Sequence, residues 1–165
     1  MKRVIMVFIT LFLPSLVTYA NTAYIPSHLE QFKQTGLCVH CDLSEATLYS
    51  HDNVNLSGTL LIRTNFSGHF YVSDFSHAEL MYANMANIQA SGSNFNAADL
   101  TGANLKNSNF SSSNFENAKL VNVNLANANL ARSNMTPAQL SQAASIECTI
   151  LPDGTRNPRN DGDPC

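Results

Sequence analysis

Between Ser73 and Leu140 an apolar residue returns at every fifth position: Phe75, Leu80, Met85, Ala90, Phe95, Leu100, Leu105, Phe110, Phe115, Leu120, Leu125, Leu130, Met135 and Leu140. Two residues before each stands a small side chain, such as Ala78, Ser93, Ala98, Ala103, Ser113, Ala118 or Ser133. The residue just before is usually Asn, as at Asn84, Asn94, Asn104, Asn109, Asn114, Asn124, Asn129 and Asn134. A period of five is neither the 3.6 of a helix nor the 2.0 of a strand. It fits a coil with flat sides, each unit supplying one side and one corner. The Asn, Asp, Gly and Ser of the remaining positions favour the turns that such corners need. A fixed internal period of this kind signals a solenoid.

A second period sets the number of sides. Every fourth unit repeats one triplet: Ser73-Asp74-Phe75, Ser93-Asn94-Phe95, Ser113-Asn114-Phe115, Ser133-Asn134-Met135. Residues twenty apart are therefore equivalent, and each coil has four sides. Coils stacked at about 4.8 Å, the spacing of hydrogen-bonded strands, place Phe75, Phe95 and Phe115 in one inward column. The Ser column lies beside it where no larger side chain fits, and Phe110 fills the space left by Ala90. The expectation is an all-β tube whose core is a set of ladders.

The run Ala98-Asp99-Leu100-Thr101-Gly102-Ala103-Asn104-Leu105 resembles the A(D/N)LxX signature of pentapeptide-repeat proteins. The resemblance extends from Asp42 to Leu140. It implies a right-handed quadrilateral β-helix, here of about five coils. That family has no single activity, so the resemblance speaks to fold and leaves function open.

The chain divides into four stretches. Met1 to Ala20 reads as a signal peptide, with Lys2 and Arg3 at its start, an apolar run from Val4 to Leu13, and Thr18-Tyr19-Ala20 as the cleavage site. The apolar run is too short to span a bilayer and Pro14 interrupts it, so no membrane anchor is expected after cleavage. Residues 21–40 hold a short capping helix, with Ser27 and Glu30 spaced as a capping box, Gly36 as its stop, and then Cys38. Leu29 and Phe32 are placed to cover the first coil. Residues 41–140 form the solenoid. Its frame slips twice: Leu48 to Leu56 suggests a bulged corner over Tyr49 to Val54 carrying His51 and Asp52, and Phe66 to Phe75 is one residue short around Gly68 to Val72. Residues 137–165 supply a second capping helix, started by the box Thr136-Pro137-Ala138-Gln139 and running to about Ser145, then a turn-rich tail.

Charge changes the picture mainly by exclusion. The full chain carries a formal net charge of −3, and loss of Lys2 and Arg3 makes the remainder more acidic. No basic patch points to nucleic acid. Some pentapeptide-repeat proteins mimic DNA and inhibit topoisomerases, which requires a strongly acidic surface. Here the repeats offer only Glu45, Asp52, Asp74, Glu79, Asp99 and Glu116 against Arg63, Lys106, Lys119 and Arg132.

No catalytic constellation appears. Ser73, Ser93, Ser113 and Ser133 point inward with no His in register, so they are core rather than nucleophiles. His28, His40, His51, His69 and His77 are scattered over the surface. The Asn columns have a structural role, because stacked amides bond one another and the next coil's backbone. No metal site, no cofactor and no enzyme activity is expected.

The pair Cys38-x-x-Cys41 admits three readings. A zinc site could recruit His40 or His51 but lacks a second Cys pair, and a redox pair lacks its βαβ setting. A structural disulfide suits an exported chain. The two cysteine pairs lie at opposite ends, roughly 25 Å apart across about five coils, whereas bridged Cα atoms lie about 4.4–6.8 Å apart. Local bridges Cys38–Cys41 and Cys148–Cys165 are thus favoured, although the tail's length also permits crossing pairs.

The functional expectation is an exported, periplasmic or secreted, non-catalytic module for protein contact or structure. Its partner is an unknown protein or a second copy. If Phe66 to Phe75 is one residue short, Ile62, Met81, Thr101 and Val121 line up as an outward apolar column flanked by Tyr82, a candidate contact surface. The alternative is a nucleic-acid mimic that inhibits a DNA-binding enzyme.

Overall fold

The computed structural model describes residues 24–159, 161–162 and 164–165. The signal peptide expected at Met1 to Ala20 lies outside the described residues.

The corners come first in the physical account. From Phe75 to Leu130, two residues after each apolar position the backbone turns left-handed, for example at His77 (φ 58°), Tyr82 (φ 58°), Asn87 (φ 63°), Gly102 (φ 70°) and Asn107 (φ 61°). Each turn closes by a backbone bond, as from Ala78 N–H to Phe75 C=O (3.1 Å) and Ala83 N–H to Leu80 C=O (3.1 Å). Asn and Gly tolerate this conformation at least cost, which explains their place in the repeat.

Between corners, the chain pairs in parallel with the coil above and below. The bridges Asp74–Asn94–Asn114, Glu79–Asp99–Lys119, Asn84–Asn104–Asn124 and Gln89–Asn109–Asn129 form four separate columns, and their partners stand one coil apart. The tube is therefore a four-sided parallel β-helix. We number the sides by their inward residues in the first regular coil: Phe75, Leu80, Met85 and Ala90.

The early coils are shorter. Strand β1 (Thr47–Tyr49) pairs with β2 (Asn65–Ser67), Leu48 facing Phe66, and the later register places Asn65 on Asn84. The shortfall falls between sides three and four in both coils. His51 N–H donates to His69 C=O (2.8 Å) just as Phe70 N–H donates to Gln89 C=O (2.7 Å). His51 and Phe70 thus stand in the Ala90 column, three and four residues after Leu48 and Phe66 instead of five. The bulged corner expected over Tyr49 to Val54 is a shortened side, and His51 covers Phe32 at 5.5 Å between ring centroids. Phe70, fully buried, is the inward residue of the short unit near Gly68 to Val72.

The core is the stacked interior. Phe75, Phe95 and Phe115 lie parallel at 4.9 and 5.0 Å, with Phe110 edge-on to Phe95 and Phe115. The small-residue column carries its own ladder. Ser93 Oγ donates to Phe70 C=O (2.8 Å) and Ser113 Oγ to Ala90 C=O (3.0 Å), while each accepts from the Ser backbone N–H one coil below.

Both ends differ from the sequence reading in detail. Helix α1 (Pro26–Thr35) starts at Ile25 with Pro26 in its first turn and no side-chain cap, so Ser27 does not form the expected box. It ends at left-handed Gly36 as expected, and its Phe32 enters the core with Leu29 packed against it. Cys38 lies inside the first coil, not beyond it: its N–H donates to Asn55 C=O (2.9 Å) and its side chain is fully buried. Helix α2 (Pro137–Leu140) has the full capping box from Thr136 to Gln139 but is a single turn. Past it the chain rejoins the tube, with Ser145 bridged to Asn124 and Ile150 to Asn129, so residues 145–150 are ladder and not yet tail.

Candidate contact surface

On side two the inward column is Leu43, Leu61, Leu80, Leu100 and Leu120, linked by Leu61 N–H to Glu79 C=O, Leu80 N–H to Asp99 C=O and Leu100 N–H to Lys119 C=O. The residues that follow must point outward, because neighbouring side chains on a strand alternate faces. Ile62, Met81, Thr101 and Val121 therefore stack in consecutive coils. Arg63 N–H donates to Met81 C=O (2.9 Å), Tyr82 N–H to Thr101 C=O (2.9 Å) and Gly102 N–H to Val121 C=O (2.9 Å). Val121 is 41% exposed; Ile62, Met81 and Thr101 are half-buried.

Tyr82, at 64% exposure, occupies the adjoining corner. A Cβ built on Gly102 would lie 2.6 Å from two Tyr82 ring carbons, so the ring packs against that glycine. This places an exposed aromatic side chain beside the apolar column. The signal was present in the sequence, a Gly twenty residues after a Tyr, but gains meaning only once the coils are stacked.

The flank is charged. Lys119 Nζ lies 2.9 Å from Asp99 Oδ2 on the Asn-type ladder of the same side. Partial burial pushes the Asp99 carboxyl up, but hydrogen bonds from Thr101 and Lys119 outweigh it and hold it below the usual carboxylate range.

A second cluster, on side four, escaped the sequence reading. Asp52 Oδ1 accepts from His69 Nδ1 (2.9 Å) and from Tyr71 N–H (3.0 Å), and the His69 and Tyr71 rings stack at 5.6 Å. The His69 bond is the main cause of a lowered Asp52 pKa. These residues come from coils whose shortened sides hid their register. Among the described residues, no group of three or more His, Cys, Asp or Glu side chains is arranged to hold a metal ion.

The structure joins Cys38 to Cys41 (Cα–Cα 5.3 Å) and Cys148 to Cys165 (5.4 Å). No described helix is long and apolar enough to cross a membrane.

The model of pentapeptide repeats matches in eight copies over residues 73–111 and 108–143. These repeats belong to the pentapeptide-repeat family. The match starts where the coils become regular, since the shortened early sides break the five-residue phase. No curated protein matches the chain. Among solved structures, the chain is similar to HetL, a pentapeptide repeat protein involved in heterocyst differentiation regulation from the cyanobacterium Nostoc sp. strain PCC 7120. The identity is 20%, over 73% of this chain and 53% of HetL, with a TM-score of 0.37. It is also similar to alr5209 from Nostoc PCC 7120 (21% identity, 67% of this chain and 78% of that one, TM-score 0.45). A third is AT2G44920 from the Arabidopsis thaliana thylakoid lumen (19%, 66% and 75%, TM-score 0.39). The chain spans about half the length of HetL.

Proposed function

We propose that this pentapeptide-repeat chain is an exported, non-catalytic module that works by protein contact through its second side. On this reading it is a right-handed tube of about five coils, with a short helix over its first coil and a single-turn helix before its last rungs, and its faces are rigid platforms. The observation that carries the reading is the stripe of Ile62, Met81, Thr101 and Val121 beside the exposed ring of Tyr82. Elsewhere the corresponding outward positions carry mostly Ser, Asn, Ala, Lys or Glu, so an apolar stripe over four coils is set apart from the rest of the surface. Export is supported by the leader at Met1 to Ala20 and by two disulfides, which persist in oxidising compartments. Nucleic-acid mimicry is disfavoured by the Asn-dominated ladders, which are neutral.

The test is a Met81→Lys/Val121→Lys variant. Both side chains lie outside the core, so its melting temperature stays within a degree or two of wild type, on the order of the effect of neutral surface changes. Crosslinking and pull-down from the exported fraction should lose a partner that wild type captures, or sedimentation should lose a self-association. If partners and sedimentation are both unchanged, side two is not the contact surface.

A further inference from the structure

We infer that residues 155–157 are a plug on the last open β edge, latched by the Cys148–Cys165 disulfide, and that reduction of this bond opens the edge to a second copy of the chain. The inference does not depend on the stripe of side two.

Every regular coil hands two backbone groups to the next. On side four, Leu130 N–H donates to Ile150 C=O (2.8 Å) and Ile150 N–H donates to Ala128 C=O (2.8 Å). Among the described residues no coil lies beyond the rung 149–151, and without the plug its outward groups would form an unpaired edge. The chain turns at Gly154 and comes back antiparallel, bridging Ile150 to Arg156. Leu151 N–H then donates to Thr155 C=O (2.7 Å), and Asn157 N–H donates to Thr149 C=O (2.8 Å). These are the two groups that a further rung would take, the central N–H and the carbonyl two residues before it. Asn157 Nδ2 also donates to Ile146 C=O (2.8 Å) on side three. The plug and another strand therefore compete for the same atoms.

The latch is placed where it can be worked. Cys148 is 6% exposed and sits in the corner between sides three and four, while Cys165 is exposed. A dithiol reductant would cleave the Sγ–Sγ bond, giving two cysteine thiols while the reductant closes to its own disulfide, a transfer of two electrons and two protons. The Cys38–Cys41 pair is shielded, with both residues buried, so the two bridges differ in access.

Groups on sides one and two are met independently of the latch. On sides one and two, Gln139 Nε2 donates to Phe115 C=O (2.7 Å) and Ala118 C=O (3.0 Å), and Asn134 Oδ1 accepts from Phe115 N–H. At the other end Ile25 N–H donates to Asp42 C=O, and Asp42 N–H donates to His28 Nδ1 (2.9 Å). Reduction thus frees the side-four edge, with the Ile146 carbonyl beside it, at this end. Two copies pairing antiparallel through rung 149–151 use up that edge on both, so the product is a closed two-fold dimer and not a fibre.

The experiment compares oxidised wild type with a Cys148→Ser/Cys165→Ser variant, both retaining Cys38 and Cys41. Sedimentation across a concentration series and amide exchange at Leu151 and Asn157 are the readouts. We expect a monomer for oxidised wild type and a concentration-dependent dimer for the variant. In dilute variant, Leu151 and Asn157 exchange at least tenfold faster than in wild type, on the order expected for loss of a local tether; Leu151 becomes protected again as dimer forms. Should the variant fail to fold, mild dithiol treatment of wild type, stopped when only Cys148–Cys165 is open by mass spectrometry, supplies the same sample. Unchanged exchange at Leu151 would show that the disulfide latches nothing. Faster exchange with a monomer at every concentration would show that the edge does not accept a second copy. Either result overturns the inference.

Discussion

A single serine column shows how strictly the tube sets each residue's worth. Ser113 Oγ bonds both Ala90 C=O and Ser93 N–H, all three buried. Ser133 occupies the same column one coil on, yet its buried Oγ has no partner. Removing a hydroxyl that leaves buried groups unpaired costs about 1–3 kcal/mol, whereas removing one that bonds nothing costs little. Ser113→Ala should therefore lower the denaturation midpoint clearly, and Ser133→Ala should leave it unchanged or raise it. Equal effects in urea unfolding would mean that the Ser ladder contributes nothing through its hydrogen bonds. The four serines were legible from the sequence as core, because their spacing places them beside Phe. That one of them is idle was not, since it depends on the geometry of the last coil before α2 (Pro137–Leu140).

At the scale of the ladder, the position before each central residue does two jobs at once. Asn94 Oδ1 accepts from Asn96 N–H (3.1 Å), bracing its own corner, and Asn114 Nδ2 donates to Asn94 Oδ1 (3.1 Å), tying one coil to the next. Asp99 keeps the first job through Thr101 N–H (3.0 Å) and replaces the second with the Lys119 ion pair. Asp99→Asn should thus preserve the corner and lose only an exposed pair, a cost of about 0–1 kcal/mol at neutral pH. The sign with pH follows from the lowered Asp99 pKa. Its stabilisation is present above the unfolded-state pKa and is lost as pH falls through the lower folded-state value. Thermal melts of both proteins should converge in acid below about pH 4; a gap that widens there would contradict the pairing.

For the whole molecule the aromatic stack is the spine. Phe95 is sandwiched between Phe75 and Phe115, all fully buried. Truncating such a ring costs about 3–5 kcal/mol, and Phe95→Asp adds a buried charge without a partner. That variant should lose its cooperative melt or unfold well below wild type by circular dichroism. A wild-type melt would remove the stack from the core. The cost spreads beyond one coil, because each coil in a solenoid is stable only against its neighbours.

From Ser73 to Met135 the five-residue period by itself determined the tube, its four sides, its inward columns and the corner residues; Leu140, in phase with the period, lies instead in α2, partly buried against the core. In a solenoid the contact between coils repeats the sequence period, so local pattern and tertiary contact carry the same information. The side-two stripe was legible for the same reason, once a single missing residue was placed. Tertiary structure decided what lies where the period breaks. Only stacking on the regular coils shows that His51 and Phe70 share the Ala90 column, because a shortened side keeps its register by hydrogen bonds and not by count. Only the fold reveals that Cys38 is core, that His69 meets Asp52, and that the chain after α2 returns to the ladder before residues 155–157 close it. At an end there is no next coil to repeat the pattern. The groups that satisfy the last edge come from whatever part of the chain can reach it, and that is set by geometry in space.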